Sequence, residues 1–291
     1  MTPICPVCGQ PLSMGAAVWR CPAGHSFDVA RQGYVNLLTV DRKHSRHPGD
    51  TKQMVAARRA FLSAGHYAPI ARALCRILAR HGGVQTVLDA GCGEGYYLGC
   101  VRQAFPRAEC WGVDVSKDAV RFAAAGCKDI GWLTATAAAL PFSDGAFDTV
   151  LSMFSLTVEE EFARVLQPGG IFVQVLAGED HLMGLKQIIY PTIVRKDKEL
   201  HPTYTALRLL ESRTLEFDFS LTSSQQVRDL LAMTPHYWRV SKDGALRLAA
   251  TQSLHDRAQV IFNVYTRVPC PEDARRPEEK MDALEERAWE L

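Results

Sequence analysis

From residue 85 onward the chain alternates short apolar runs with longer amphipathic ones. QTVLDAG, ECWGVDVS, GWLTAT and AFDTVLSMFS read as strands, and GYYLGCVRQAF, KDAVRFAAAG and EEEFARVL between them read as helices. Pro168-Gly169-Gly170 is placed to stop the last helix, after which IFVQVLAG resumes as a strand. Strands separated by helical stretches predict an α/β fold, a Rossmann-like doubly wound parallel sheet. Further on, LRLLESRTLEFDFSLTS and RAQVIFNVYTRV predict an antiparallel edge, with helical SSQQVRDLLAMTP between them.

Upstream of the sheet, DTKQMVAARRAFLSAG predicts a helix that Asp50 can cap, with Gln53 at the reciprocal capping-box position and Gly65 as its stop. YAPIARALCRILARHGG predicts a second helix, ending at Gly82-Gly83. The intervening LTVDRKHSRHPGD is polar and turn-rich, as a loop should be. These patterns divide the chain into a small module at 1–38, a helical linker region at 39–84, the α/β domain at 85–268 and a proline- and charge-rich acidic tail at 269–291.

Composition narrows the class. A chain of 291 residues, 47% hydrophobic and 22% charged, suits a soluble protein of roughly two domains. No apolar run approaches the ~20 residues of a membrane span, and no signal peptide is evident, so a cytoplasmic protein without a membrane partner is expected. The net charge of +1 hides an asymmetry: residues 1–80 hold 11 Lys and Arg against 3 Asp and Glu, a local +8, whereas residues 271–291 hold 4 against 8. A basic front hints at nucleic acid, although a solvated basic face explains the charge equally well.

Two motifs carry chemistry. Cys5, Cys8, Cys21 and His25 follow the spacing Cys-x2-Cys-x12-Cys-x3-His, which offers zinc four tetrahedral ligands and leaves no open position. The site is therefore expected to hold one structural Zn2+. An odd total of 9 cysteines argues for reduced thiols elsewhere, and Cys75, Cys92, Cys100 and Cys110 read as small core residues. The second motif, VLDAGCGEGYY, follows a strand and opens a helix, so its glycines let backbone turn tightly against a ligand. A dinucleotide fold needs G-x-G-x-x-G, and Tyr96 occupies its third glycine position. Asp114, at the end of the next strand, stands where an acidic side chain accepts from ribose hydroxyls, a feature that NAD enzymes share.

Gly91, Gly93 and Gly95 with Asp89 just before them resemble motif I of class I S-adenosylmethionine-dependent methyltransferases. LPFSDGAFDTVLS and EEEFARVLQPGGIFV resemble the strand-4 and strand-5 region of the same enzymes. With CPAGHSFDVARQGYVNLL, HPGDTKQMVAARRAFLSAGHY, HLMGLK and LLAMTPHYW added, residues 4–267 resemble bacterial 23S rRNA (guanine-N1)-methyltransferases of the RlmA type. The resemblance implies structural zinc on Cys5, Cys8, Cys21 and His25. It also implies an S-adenosylmethionine site formed by Tyr67, Asp89, Gly91, Gly93, Glu94, Gly95, Tyr96, Tyr97, Asp114 and His181.

The implied reaction is methyl transfer from S-adenosylmethionine to N1 of one guanine in a 23S rRNA hairpin loop. The zinc module would read the RNA through Arg20, Arg31 and Tyr34, next to Arg42, Lys43 and Arg46. The stretch that faces the target base in related enzymes, aromatic-Ala-Pro, reads MFSL here at 153–156. No catalytic base is assigned: Glu159, Glu160, Glu161 and Asp144 are candidates, yet read more readily as solvated or capping carboxylates. Oligomeric state stays open, with a homodimer among the possibilities. A small-molecule methyltransferase would share residues 85–178 but leave the zinc module unexplained. A non-catalytic RNA-binding relative would have no need of intact Gly91, Gly93, Gly95 and Asp114.

Overall fold

The computed structural model describes residues 1–42, 49–81, 83–194 and 198–269. The chain begins with three short antiparallel strands, β1 (Ser13–Met14), β2 (Val18–Arg20) and β3 (Ser26–Asp28), which form their own small sheet. β4 (Val35–Asn36) belongs to the main sheet. Helices α1 (Lys52–Ser63) and α2 (Ala68–His81) follow. The α/β unit then runs β5 (Thr86–Ala90), α3 (Tyr96–Ala104), β6 (Glu109–Asp114), α4 (Lys117–Gly126), β7 (Gly131–Thr134), β8 (Phe147–Met153), α5 (Glu159–Val165), β9 (Leu166–Ala177) and α6 (Met183–Ile189). It closes with β10 (Leu207–Leu221), α7 (Ser224–Ala232), α8 (Lys242–Ala250) and β11 (Leu254–Arg267).

Among the described residues the main sheet has eight strands in the order β10-β11-β9-β8-β5-β6-β7-β4. β4 to β9 pair in parallel, while β11 runs antiparallel to β9 and β10 antiparallel to β11. This is the Rossmann-like sheet with an antiparallel edge that the periodicity predicts. Strand alternation sends side chains to two cores. Val87, Leu151, Val173 and Val175 face a cluster built with α1, α2, α3, α6 and α7. Leu88, Val150 and Phe172 face a second cluster that includes Phe162 of α5 and, from the metal module, Cys5, Leu12 and Cys21. The small module thus packs into the α/β core. Ile4 N donates to Pro141 O at 2.9 Å, and Val35 and Asn36 pair with Leu133 and Thr134 of β7.

Several local expectations need correction. Thr51 caps α1, its Oγ1 accepting from Met54 N at 3.3 Å, and Asp50 instead ion-pairs with Arg58 at 2.6 Å. The helix begins one residue later than an Asp50 cap requires, and Gly65 does follow its end with φ 84°. Pro168-Gly169-Gly170 lies within β9 as a bulge, because Phe147 pairs with Leu166 while Thr149 pairs with Ile171. Tyr34 is 5% exposed and packs in the first core, so it cannot stack on RNA. Arg20 and Arg31 are exposed, whereas Lys43, Arg46 and residues 270–291 lie outside the described residues. No described helix is long and apolar enough to cross a membrane.

Trp132 of β7 links the sheet to the glycine loop. Its indole is 2% exposed and its Nε1 donates to Cys127 O at 2.8 Å. A Cβ on Gly112 would lie 2.4 Å from this ring, and one on Gly95 would lie 2.5 Å from it. Both glycines leave room for the indole. Gly112→Ala should therefore cost ~1–3 kcal/mol through overpacking, visible as a lower denaturant midpoint, with partial recovery in Gly112→Ala/Trp132→Phe. An unchanged midpoint would mean that the indole moves aside freely.

Candidate active site and metal centre

The Cys5–Cys8 turn faces the hairpin end that carries Cys21 and His25, and the four ligand atoms lie within 4.8 Å of one another. Cys21 Sγ is 3.3 Å from His25 Nδ1, Cys5 Sγ is 3.6 Å from the same nitrogen, and Cys8 Sγ is 3.6 Å from Cys21 Sγ. Tetrahedral zinc, with Zn–S about 2.3 Å and Zn–N about 2.0 Å, needs neighbouring ligands ~3.5–3.8 Å apart. The donors fit. Desolvation raises the Cys21 thiol, but hydrogen bonding from the His25 backbone and neighbouring groups outweighs it and lowers the pKa to about 6. That favours the thiolate a metal requires.

A cavity of about 760 Å³ opens at the carboxyl ends of β5, β6 and β8, where the strand order reverses direction. Its floor is the loop from Ala90 into α3. Gly91 has φ 90°, and a Cβ there would lie 2.5 Å from Ser155 Cβ, because Ser155 Oγ reaches over to donate to Ala90 O at 2.7 Å. Asp114 closes one side: its carboxylate accepts from Gly93 N at 2.9 Å and from Ser116 N at 2.8 Å, and each oxygen keeps acceptor capacity.

Opposing polar groups are equally fixed. Gln259 N donates to His181 Nδ1 at 3.2 Å, so the neutral ring carries its proton on Nε2. That proton can be given to the Tyr67 hydroxyl 3.2 Å away, which leaves the phenolic O–H as a donor for a ligand. Burial, then Lys186 and Lys198, push His181 down to about 3, and burial pushes Tyr67 well up, so both stay uncharged near neutrality. Phe154 stacks on His181 with ring centroids 6.2 Å apart. It adopts φ 56°, a left-handed conformation unusual outside glycine and a local strain at the cavity wall.

Of the residues singled out in the sequence, Tyr67, Gly91, Gly93, Glu94, Tyr96, Tyr97, Asp114 and His181 line this cavity. Gly95 and Asp89 lie behind its wall. Gly95 opens α3 with φ 87° against Trp132, and Asp89 is 1% exposed with neither carboxylate oxygen hydrogen-bonded. The MFSL stretch supplies Met153, Phe154, Ser155 and Leu156 to the wall, with Leu156 78% exposed at the rim.

Residues 4–46 match the family model described as "RlmA, N-terminal", a zinc ribbon, and residues 87–170 match "Methyltransferase domain". The 23S rRNA (guanine(748)-N(1))-methyltransferase of Streptomyces fradiae is 36% identical over 284 residues, covering 91% of this chain and 96% of that protein. The chain belongs to the 23S rRNA (guanine-N1)-methyltransferase family. Two relatives provisionally named for the same reaction extend the match. One, from Micromonospora griseorubida, is 42% identical over 62% of this chain and 67% of its own length. YxjB of Bacillus subtilis (strain 168) is 32% identical over 82% of this chain and 88% of its own length.

Within this family member the carboxylates weighed as bases are structural. Glu161 accepts from Leu140 N at 2.7 Å and pairs with Arg164 at 2.7 Å, Asp144 pairs with Arg164 at 3.0 Å, and Glu159 accepts from Ala206 N at 2.6 Å. None of them lines the cavity, and neither does Glu160. The cavity instead gains residues that the sequence did not assign to it: Asp50 and Arg58 on the α1 side, and Lys198, Thr234, His236 and Arg239 on another. The run MTPHYW flags Thr234 and His236, whereas nothing in the sequence marks Lys198 or Arg239.

Two predictions follow from these sites. Cys21→Ser should lose its zinc by elemental analysis and lower the melting temperature of the whole chain, since the ligand loops share a core with the sheet. An unchanged melting temperature would show that the module is energetically separate. Burial, reinforced by Asp114, raises Asp89 to about 8. A carboxyl that holds its proton more tightly when folded contributes stability below its unfolded pKa of about 4 and loses it as pH rises toward the folded value. Wild type minus Asp89→Asn stability should accordingly decline between these limits, as read by denaturation across pH. A flat difference would mean that Asp89 is ionised in the empty protein.

Proposed function

We propose that this enzyme transfers a methyl group from S-adenosylmethionine to N1 of a guanine in a hairpin loop of 23S rRNA. The observation that carries the reading is a family match running through zinc ribbon and methyltransferase domain alike, joined to a cavity built at the switch point of the sheet. S-adenosylmethionine, when bound, supplies an electrophilic methyl on a sulfonium. The chain's part is alignment. In this reading Asp114 accepts from ribose hydroxyls, and the glycine loop lets backbone approach the ligand. Tyr67, oriented by His181, offers its O–H to a carboxylate. Cys5, Cys8, Cys21 and His25 would hold zinc as a structural staple, with no chemical step assigned to it.

In this reading residues 1–38 recognise RNA and 85–268 carry out transfer, in the cytoplasm where rRNA is made. The +8 charge of residues 1–80 attracts phosphate, with Arg20 and Arg31 exposed to reach it. A paired guanine hides N1 in a hydrogen bond, so the target must be a loop base or one flipped out of its stack. Methylated N1 cannot pair. Reverse transcription of large-subunit rRNA should therefore stop one nucleotide before the site in wild-type cells and read through in a deletion strain. RNA binding should weaken steeply with salt through counterion release. Read-through in both strains, with the protein expressed, would reject the rRNA assignment, and methyl incorporation into a metabolite extract would replace it with a small-molecule reading.

A further inference from the structure

The proposed transfer has an unsolved proton. Guanine N1 must lose its hydrogen before it can attack, and a protein base is the usual means. Among the described residues the cavity wall carries three carboxylates: Asp50 pairs with Arg58 at 2.6 Å, Asp114 accepts from two backbone N–H groups, and Glu94 lies in the field of Arg58 and Arg59. The wall near His236 is of opposite character. Lys198 is held at the end of β9, its Nζ donating to Ala177 O at 3.3 Å and Gly178 O at 3.2 Å. Arg239 lies in the same 3-10 turn as His236, Pro235–Arg239, with its side chain exposed. His236 Nδ1 is 2.8 Å from the Tyr190 hydroxyl.

We propose that the target guanine is activated by positive charge rather than by a protein base. Lys198 and Arg239 stabilise the N1-deprotonated guanine through its O6, and His236 remains a neutral positioning residue. The assignment rests on the functional reading above. Among the described residues the groups that face His236 are Lys186 from α6, Tyr190, Lys198, Arg239 and, further in, His181; those that are charged at neutral pH are all cations. Burial, then these cations, lower His236 to about 4, which makes it a poor proton acceptor.

Deprotonation puts negative charge on O6, where lysine and arginine are the natural partners of guanine. Fixed charge placed where charge develops lowers the barrier without further reorganisation. The proton passes to water. N1 then takes the methyl carbon with its freed pair, leaving the pair of the broken carbon–sulfur bond on sulfur. The same cations select the base, since adenine presents an amino group where guanine carries O6.

The test is single-turnover methylation of a synthetic rRNA hairpin by the full-length enzyme across pH, with 1-methylguanine identified as product. In wild type the rate should rise with pH and level off below the pKa of free guanine N1. Lys198→Ala/Arg239→Ala should lose about 100-fold near pH 7, regain rate as pH rises, and move the inflection upward by about one unit or more. Its S-adenosylmethionine affinity should be nearly wild type. The single Lys198→Gln and Arg239→Gln variants, each changing an exposed side chain, keep the test valid should the double variant fold poorly. His236→Asn should cost a few-fold without moving the inflection. Abolished transfer in His236→Asn or in Asp197→Asn (a carboxylate outside the described residues), with the cation variants changing only KM, would overturn the assignment in favour of a protein base. A wild-type enzyme forming no 1-methylguanine would overturn the functional reading together with it.

Discussion

The site depends on one topological constraint. β5 and β8 lie side by side and end level, but the chain leaves β5 toward β6 and β7 and leaves β8 toward β9. Connections that depart in opposite directions leave a crevice above the strand ends, the place where open α/β sheets bind ligands. Two hydrogen bonds hold that crevice in shape. Ser155 Oγ, just past β8, donates to Ala90 O at the end of β5, and Gly93 N donates to Asp114 at the end of β6. The glycine loop is therefore fixed from both neighbouring strands, and its backbone is already set before a ligand arrives.

The same arrangement stores cost. Asp89 is buried without a hydrogen-bonding partner, and Phe154 holds a left-handed backbone beside the His181 ring. Neither helps the empty protein. Each lies within one residue of a group that lines the cavity, which is where strain and unsatisfied polar groups are tolerated for binding. The zinc staple works in the opposite sense. It would hold together ligand loops whose Cys5 and Cys21 share one core cluster with Leu12 and Trp111, and β4 extends the sheet past β7.

Much of this was legible in the sequence because the signals were local. The metal spacing, the glycine loop and the strand–helix alternation each fit within a short window, and the helix at 117–126 appears with the bounds its pattern indicates. What stayed hidden depends on partners far along the chain. β4 is two residues long and exists only through pairing with β7 about a hundred residues later. Tyr34 looks like a surface aromatic in a basic segment, yet it is buried in the first core, close to Asp118 and Arg121 of α4. Gly95 looks like a ligand-contacting glycine, whereas Trp132, from two strands away, is what it accommodates. Lys198 carries no local pattern at all, and its position is set by the carbonyls at the end of β9.

On the proposed function, in which residues 1–38 recognise RNA, packing that module into the sheet has a consequence for substrate choice. An RNA reader joined by a loose tether could sample many orientations, and its contacts would add affinity without fixing which base reaches the cavity. Here the ligand loops of the module pack into the core behind β5 and β6, and Leu37 N donates to Thr134 O at the end of β7. The offset between the module and the cavity is consequently set by backbone hydrogen bonds and shared packing. Sequence-independent attraction to phosphate can then be converted into selection of one position on a folded RNA, because only a loop of matching shape can satisfy both ends at once. On that proposal zinc serves selection by keeping one end of the ruler rigid.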